Sequence, residues 1–306
     1  MLRYLRRRLF QSIFVVLGVT FVSFGVLFLT GDPAAVLLGD VELTQSEMAE
    51  FRHQMGFDRP WYVQYGDYIW RVAHFDFGKS YYHGISNATL ILDTIPATIE
   101  LAIVSTAMTL VIGIPIGMFC AFRRNSLTDR ATMAGALLAQ AMPTFWLGLM
   151  LMLVFAEILR WLPVSGRGGI EHIILPAITL SLMSIARNAR MVRSSMLEVL
   201  GQDYIRTARA KGLSERIVQY KHALKNAMIP VMTIIGMDIG YRLGGSVIVE
   251  TVFGYPGVGR MVIQSINNKD VPLLQACVIV LALLFVGVNL LVDFLYVYVD
   301  PRIRHS

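Results

Sequence analysis

The chain has 306 residues, of which 55% are hydrophobic and 16% are charged, and its formal net charge is +6. Soluble domains carry charge on about a quarter of their residues, so this composition excludes an ordinary soluble domain and indicates an integral membrane protein. The excess of cations lies between apolar runs and follows membrane topology, which argues against a nucleic-acid partner.

Six apolar segments are predicted to cross the membrane as helices, which makes the protein all-α. They comprise residues 9–29, 101–122, 131–156, 173–186, 227–249 and 271–292. Most are near the length that crosses about 30 Å of hydrocarbon at about 1.5 Å per residue. The fourth is short, so its helix is expected to continue through Arg187, Arg190 and Arg193. The first is about as long as a spanning helix needs and is expected to be a retained span, with a cleaved signal peptide as the alternative.

These segments predict the organisation of the chain. It comprises a first span in residues 1–30, an outer loop subdomain in 31–96, a transmembrane core in 97–293 and a tail in 294–306. Arginines concentrate in the short segments on one side, whereas the outer loop is acidic. Because short cytoplasmic loops are enriched in cations, both termini are expected in the cytoplasm.

Local motifs predict a helix in the outer loop and special positions in the spans. Thr44 and Glu47 form a capping-box pattern that begins a helix ending at Gly56. Gly113 and Gly117 permit close contact between helices. Prolines are expected to kink the spans, and each kink is either a hinge or an ordinary packing feature. They are Pro115, Pro143, Pro176 and Pro230.

Polar residues inside spans are candidates for a translocation path, because an uncompensated charge at the bilayer centre is costly. Asp238 and Arg242 are four residues apart in the fifth span and are expected to pair on one helix face. Gln140 in the third span is a further candidate. The alternative is a self-neutralised pair at a helix interface.

The most informative stretch is a basic segment at residues 194–230. Gly201 and Gly212 bracket a short run of helix formers, which predicts a helix between two bends. Leu200, Tyr204, Ile205 and Ala208 fall on one side of it, and Arg206, Arg209 and Lys211 fall largely on the other. Such a helix either contacts a soluble partner or only fixes membrane orientation.

The run from Asp203 to Gly212, followed by His222 to Ala227, resembles the cytoplasmic coupling loop of permease subunits in binding-protein-dependent ABC importers. It is similar to the peptide and nickel branch in particular. The general signature of those permeases begins with Glu-Ala-Ala before a fixed glycine, and here Arg206 replaces the glutamate while Ala208 and Gly212 agree. The residues at 56–65, 76–80, 249–260 and 300–304 also resemble this branch, so the likeness covers nearly the whole chain.

The resemblance implies a type I importer permease fold with six transmembrane helices and a coupling helix, in the inner membrane. It implies a non-catalytic subunit without a cofactor, working with a homologous second permease, two ATP-binding subunits that bind the ATP, and a periplasmic substrate-binding protein. The outer loop either docks that binding protein or caps the bundle. The residues implied in ATPase coupling are Asp203, Tyr204, Arg206, Thr207, Ala208, Arg209, Ala210, Lys211 and Gly212.

Two function classes remain open. The branch imports di- and oligopeptides, but also glutathione and nickel, and nickel is less favoured because no His or Cys cluster lines the spans. An ion-coupled secondary transporter would use Asp238 and Arg242 as its ion site, although the internal repeats typical of that class are not seen. The sequence lacks a P-loop, an HExxH pair and a nucleophile elbow, so we expect no enzymatic activity in this chain.

Overall fold

The computed structural model describes residues 2–29 and 44–299, and these residues are almost entirely helical. Residues 1 and 30 of the predicted first span, 31–43 of the predicted outer loop and 300–306 of the predicted tail lie outside the described part. The helices are α1 Leu2–Leu29, α2 Gln45–Met55, α3 Trp61–Ala73, α4 Asn87–Met108, α5 Ile114–Phe122, α6 Leu127–Ala141, α7 Thr144–Leu151, α8 Ile170–Leu200, α9 Asp203–Ala210, α10 Leu224–Val252, α11 Val258–Asn267 and α12 Val271–Val299. Three π-helical stretches join some of them, at Thr109–Gly113, Met152–Ile158 and Ile217–Ala223.

The spans match the predicted number when two bent helix pairs are each counted as one. In the described residues, four helical stretches are long and apolar enough to cross a membrane by themselves: Arg8–Gly25, Asn87–Phe122, Ile170–Leu200 and Val271–Phe294. The pair Leu127–Ala141 and Thr144–Ile158 is bent by 106°, and the pair Ile217–Gly244 and Ser246–Val252 by 47°. The predicted fourth span does continue through its arginines, because α8 ends only at Leu200.

The kink predicted at Pro143 in the third span is present, and it is a complete break between two helices. The break falls at Met142 and Pro143, where Pro143 is the N-cap of α7. Proline lacks the backbone N–H that would continue α6, and it forces the preceding residue out of helical conformation. By contrast, Pro176 and Pro230 lie inside α8 and α10 without ending either helix.

One compact unit comprises residues 1–98 and 256–287. Helix α3 packs beside α1, where the Tyr65 hydroxyl donates to the Leu17 carbonyl at 3.1 Å. The predicted capping box at Thr44 and Glu47 is present, and α2 ends at Gly56 with φ of 71°. Just before α12, buried Asp270 accepts hydrogen bonds from the Ser80 hydroxyl and from the backbone N–H groups of the next two residues, Tyr81 and Tyr82.

The other unit comprises residues 99–255 and 288–306. Its core is an apolar cluster formed by α5, α8, α9 and α10 together with the third π-helical stretch. The predicted close approach at Gly117 is confirmed, since a Cβ atom added there would lie 2.5 Å from the Ala189 carbonyl oxygen and 2.6 Å from the Val192 Cβ. Only glycine therefore allows α5 to lie this close to α8.

Candidate functional site

The predicted helix in the basic segment is present as α9, which covers Asp203–Ala210. Asp203 lies in its first turn and Arg209 in its last, where both charges are favourable to the helix dipole. Gly212 has φ of +74°, which a residue with a Cβ atom adopts only with strain. An added Cβ would meet no atom within 4 Å, so the backbone conformation alone requires this glycine.

The apolar face of α9 is anchored in the core. Ile205 is fully buried and Ala208 nearly so, and both belong to the cluster that includes Met118, Val192 and Met196. Tyr204, which was predicted on the same side, is 42% exposed. It lies at the edge of the contact, where its hydroxyl accepts a hydrogen bond of 2.8 Å from the side chain of Asn226.

The opposite face of α9 is open and carries charge. The side chain of Arg206 is 77% exposed and that of Asp203 is 96% exposed, with 3.7 Å between their charged atoms. Arg209 pairs with Glu215 at 2.7 Å, and both side chains are largely exposed. Thr207, Ala210 and Lys211 are exposed as well. The described part of this helix therefore presents a mostly cationic surface on a firmly packed base.

The expected ion pair between Asp238 and Arg242 was wrong. The Asp238 carboxylate instead accepts hydrogen bonds from Arg187 at 2.6 Å and Asn188 at 2.9 Å, both on α8. Arg242 donates to the Thr109 hydroxyl at 2.7 Å. Asp238 and Arg242 are each only 2% exposed, so both are buried within this unit.

The other two arginines of α8 also have polar partners, which the sequence analysis missed. Arg190 donates to Gln140 at 2.7 Å, and Arg193 donates twice to Asp129, at 2.6 Å and 2.8 Å. The spacing of three residues between successive arginines places them near one helix face, and that spacing was the available signal. Their partners lie far away in sequence, so pattern alone could not assign them.

Comparison with known proteins identifies the family. The family model described as "Binding-protein-dependent transport system inner membrane component" matches residues 113–305, and the model of the N-terminal part of such components matches residues 1–102. The dipeptide transport system permease protein DppB of Alkalihalophilus pseudofirmus is 40% identical, with 100% of both chains covered. The DppB protein of Escherichia coli is 38% identical, also over 100% of both chains.

Solved structures share the fold at low sequence identity. An inward-facing structure of the MetNI methionine ABC transporter is 18% identical, with a TM-score of 0.59 over 69% of this chain and 96% of that chain. At this identity the likeness concerns the fold alone. Together with the family models and the full-length relatives, it shows that this chain belongs to the inner-membrane components of binding-protein-dependent transport systems, as a permease of the peptide branch of ABC importers.

Proposed function

We propose that this permease imports di- or oligopeptides as one half of a translocation path, with a homologous permease as the other half. Support for the cargo comes from relatives that are named as dipeptide or di/tripeptide permeases and are 38% to 40% identical over their whole length. As a member of its family, the chain is a multi-pass inner-membrane subunit that works with ATPase and substrate-binding components. We infer that ATP is bound and hydrolysed by two ATPase subunits.

The observation that carries the coupling step is the two-sided character of α9. A coupling helix can transmit a conformational change only if it is packed firmly against the part of the permease that moves. Ile205 and Ala208 anchor α9 in the core of its unit. Its exposed residues provide the contact surface for an ATPase subunit. We assign to this surface Asp203, Tyr204, Arg206, Thr207, Arg209, Ala210 and Lys211, with Ala208 as an anchor and Gly212 as the turn that ends it.

The orientation follows from the same assignment. If α9 meets an ATPase subunit, the segment lies in the cytoplasm, and the short basic segments place both termini there as well. Among the former path candidates, we assign Asp238 and Arg242 to packing because both are buried. Gln140 is only partly buried, on the broken third span, and stays a candidate for the path.

The coupling assignment is tested with the double variant Arg209→Gln/Lys211→Gln. In membranes with all partner subunits, we expect loss of ATPase co-purification together with loss of labelled dipeptide uptake, because the cations that face the partner are removed. The matched control is Arg124→Gln/Arg130→Gln, which removes two exposed cations elsewhere in the same unit. It should retain both activities.

Two outcomes would overturn the proposal. Undiminished uptake by a double variant that has lost its ATPase subunits would favour an ion-coupled transporter. Calorimetry of the cognate binding protein tests the cargo separately. Binding of nickel or glutathione but not of dipeptides would replace the peptide assignment while leaving the coupling assignment intact.

A further inference from the structure

An apolar groove runs between α1 and the beginning of α12, within one compact unit. Its walls include Phe14, Gly18 and Val22 on α1 and Leu274 and Val278 on α12, and its volume is about 560 Å³. We call it the α1/α12 groove. Both helices contribute residues of their membrane spans, so the groove lies at the depth of lipid acyl chains.

A basic cavity of about 340 Å³ adjoins this groove. Arg71, Lys79, Tyr68 and Asp76 contribute to its walls, and it shares Val271 and Gln275 with the groove. Neither Arg71 nor Lys79 forms an ion pair with another residue in 2–29 or 44–299. One carboxylate oxygen of Asp76 accepts from the Gly78 N–H at 3.0 Å. The wall therefore contributes two cations and one carboxylate to the cavity, and the buried carboxylate of Asp270 behind the wall is occupied by Ser80 and the backbone N–H of Tyr81.

The side chains around α3 indicate where this cavity lies relative to the bilayer. Trp70, next to Arg71, is more than half exposed, and Trp side chains are enriched at the membrane–water interface. Tyr65 contacts Leu17, and one turn later Tyr68 contacts Phe24 near the end of the span. Arg71 follows one further turn along, so the basic cavity lies at headgroup level beyond the groove.

We propose that the α1/α12 groove and the basic cavity together bind one anionic phospholipid, with an acyl chain along the groove and the phosphate at Arg71 and Lys79. An amphiphile fits because the apolar and the cationic spaces are continuous at Val271 and Gln275. Gln275 also donates to the Ser23 carbonyl at 3.1 Å, which ties α12 to α1 at this junction.

The test uses the purified transporter containing this full chain, reconstituted with equal amounts of phosphatidylglycerol and phosphatidylcholine. Native mass spectrometry then measures which lipid is retained. We expect phosphatidylglycerol to be retained preferentially, and Arg71→Gln/Lys79→Gln to reduce that preference by about fivefold for each cation removed. The control Arg52→Gln removes an exposed cation from α2, outside both spaces, and should leave the preference unchanged.

The acyl end of the site has its own variant. Gly18→Trp fills the groove and should reduce retention of both lipids, because it blocks the acyl chain rather than the headgroup. Gly25→Trp is the matched control, since Gly25 lies on the same helix outside the groove and, like Gly18, has no atom within 4 Å of an added Cβ. The chain should remain assembled in every variant, which co-purification of the partner subunits verifies.

Equal retention of the two lipids by the wild type would overturn the proposal. So would a full preference for phosphatidylglycerol in Arg71→Gln/Lys79→Gln. A double variant that kept its lipid but lost affinity for the periplasmic binding protein would assign the cavity to protein docking instead. None of these outcomes depends on the identity of the transported cargo.

Discussion

The arginines of α8 and the cations of α9 follow one another along the chain, yet their surroundings are opposite. Arg187 and Arg193 each reach a carboxylate that is only 2% exposed, on another helix. Arg206 is mostly exposed, and Arg209 pairs with the nearby surface residue Glu215. Because a buried charge requires a partner, these α8 arginines are needed for the packing of the fold. The exposed α9 cations remain available to another protein.

The largest expected effect comes from breaking an α8 pair. Asp238→Asn leaves Arg187 without its counter-charge and removes negative charge near buried Arg242, and removal of one partner from a buried pair costs about 3 kcal/mol. We expect a lower midpoint of thermal unfolding in detergent. Asp203→Asn changes an exposed carboxylate on α9 and should leave the midpoint nearly unchanged. Normal stability of Asp238→Asn with abolished uptake would instead restore Asp238 as a path residue.

A smaller but more local effect is expected at the base of α9. Ile205→Ala removes a fully buried side chain, which costs about 2 to 3 kcal/mol in well-packed sites. The loss should detach α9 from its cluster and weaken ATPase co-purification although no cation is changed. Ala210→Gln alters an exposed position on the same helix and serves as the control. Unaltered co-purification in Ile205→Ala would show that anchoring is not needed for coupling.

The glycines that flank α9 provide a matched pair for a weaker effect. Gly212→Ala places a side chain at φ of +74° and should cost about 1 kcal/mol. Gly201 has φ of −83°, and an added Cβ would lie 3.4 Å from the nearest carbonyl oxygen, an ordinary contact. We therefore expect Gly212→Ala, but not Gly201→Ala, to reduce uptake. Equal effects at both positions would contradict the conformational argument.

The smallest effect on stability is expected at the exposed pair. Arg209→Gln removes a surface ion pair, so the free energy of unfolding should change by less than about 1 kcal/mol. If Arg209 instead contacts the ATPase, co-purification should weaken and become less sensitive to salt, because salt screens exposed charges. Titration of bound ATPase against salt concentration measures this. A salt dependence identical to that of the wild type would remove Arg209 from the contact surface.

The sequence was sufficient for features that local chemistry determines. The capping box at Thr44, the turn at Gly212 and the close approach at Gly117 each follow from residue types at one or two neighbouring positions. The buried side of α9 was also predicted, apart from Tyr204, because helical spacing determines which residues share a face. Tyr204 is the exception because it lies at the edge of the contact between α9 and the core, where it is 42% exposed.

Features that depend on distant packing could not be predicted. Arg242 is the nearest cation to Asp238 along the sequence, but the structure pairs Asp238 with Arg187, 51 residues away. The third span illustrates a related limit, since hydropathy counts apolar residues and carries no information on direction. A kink was predicted at Pro143, but its angle of 106° could not be derived from the sequence of residues 131–156.

The close contact at Gly117 affects how a movement of α9 is transmitted to α5 and α8. Helix α8 has 31 residues and is about 46 Å long, and α9 follows it after only Gly201 and Gln202. Because α5 lies directly on the α8 backbone, the two cannot slide past each other without a clash of main chains. A load applied at α9 is therefore expected to turn α5 and α8 together as a single lever, so that small movements beside α9 become larger displacements at the other end of α8.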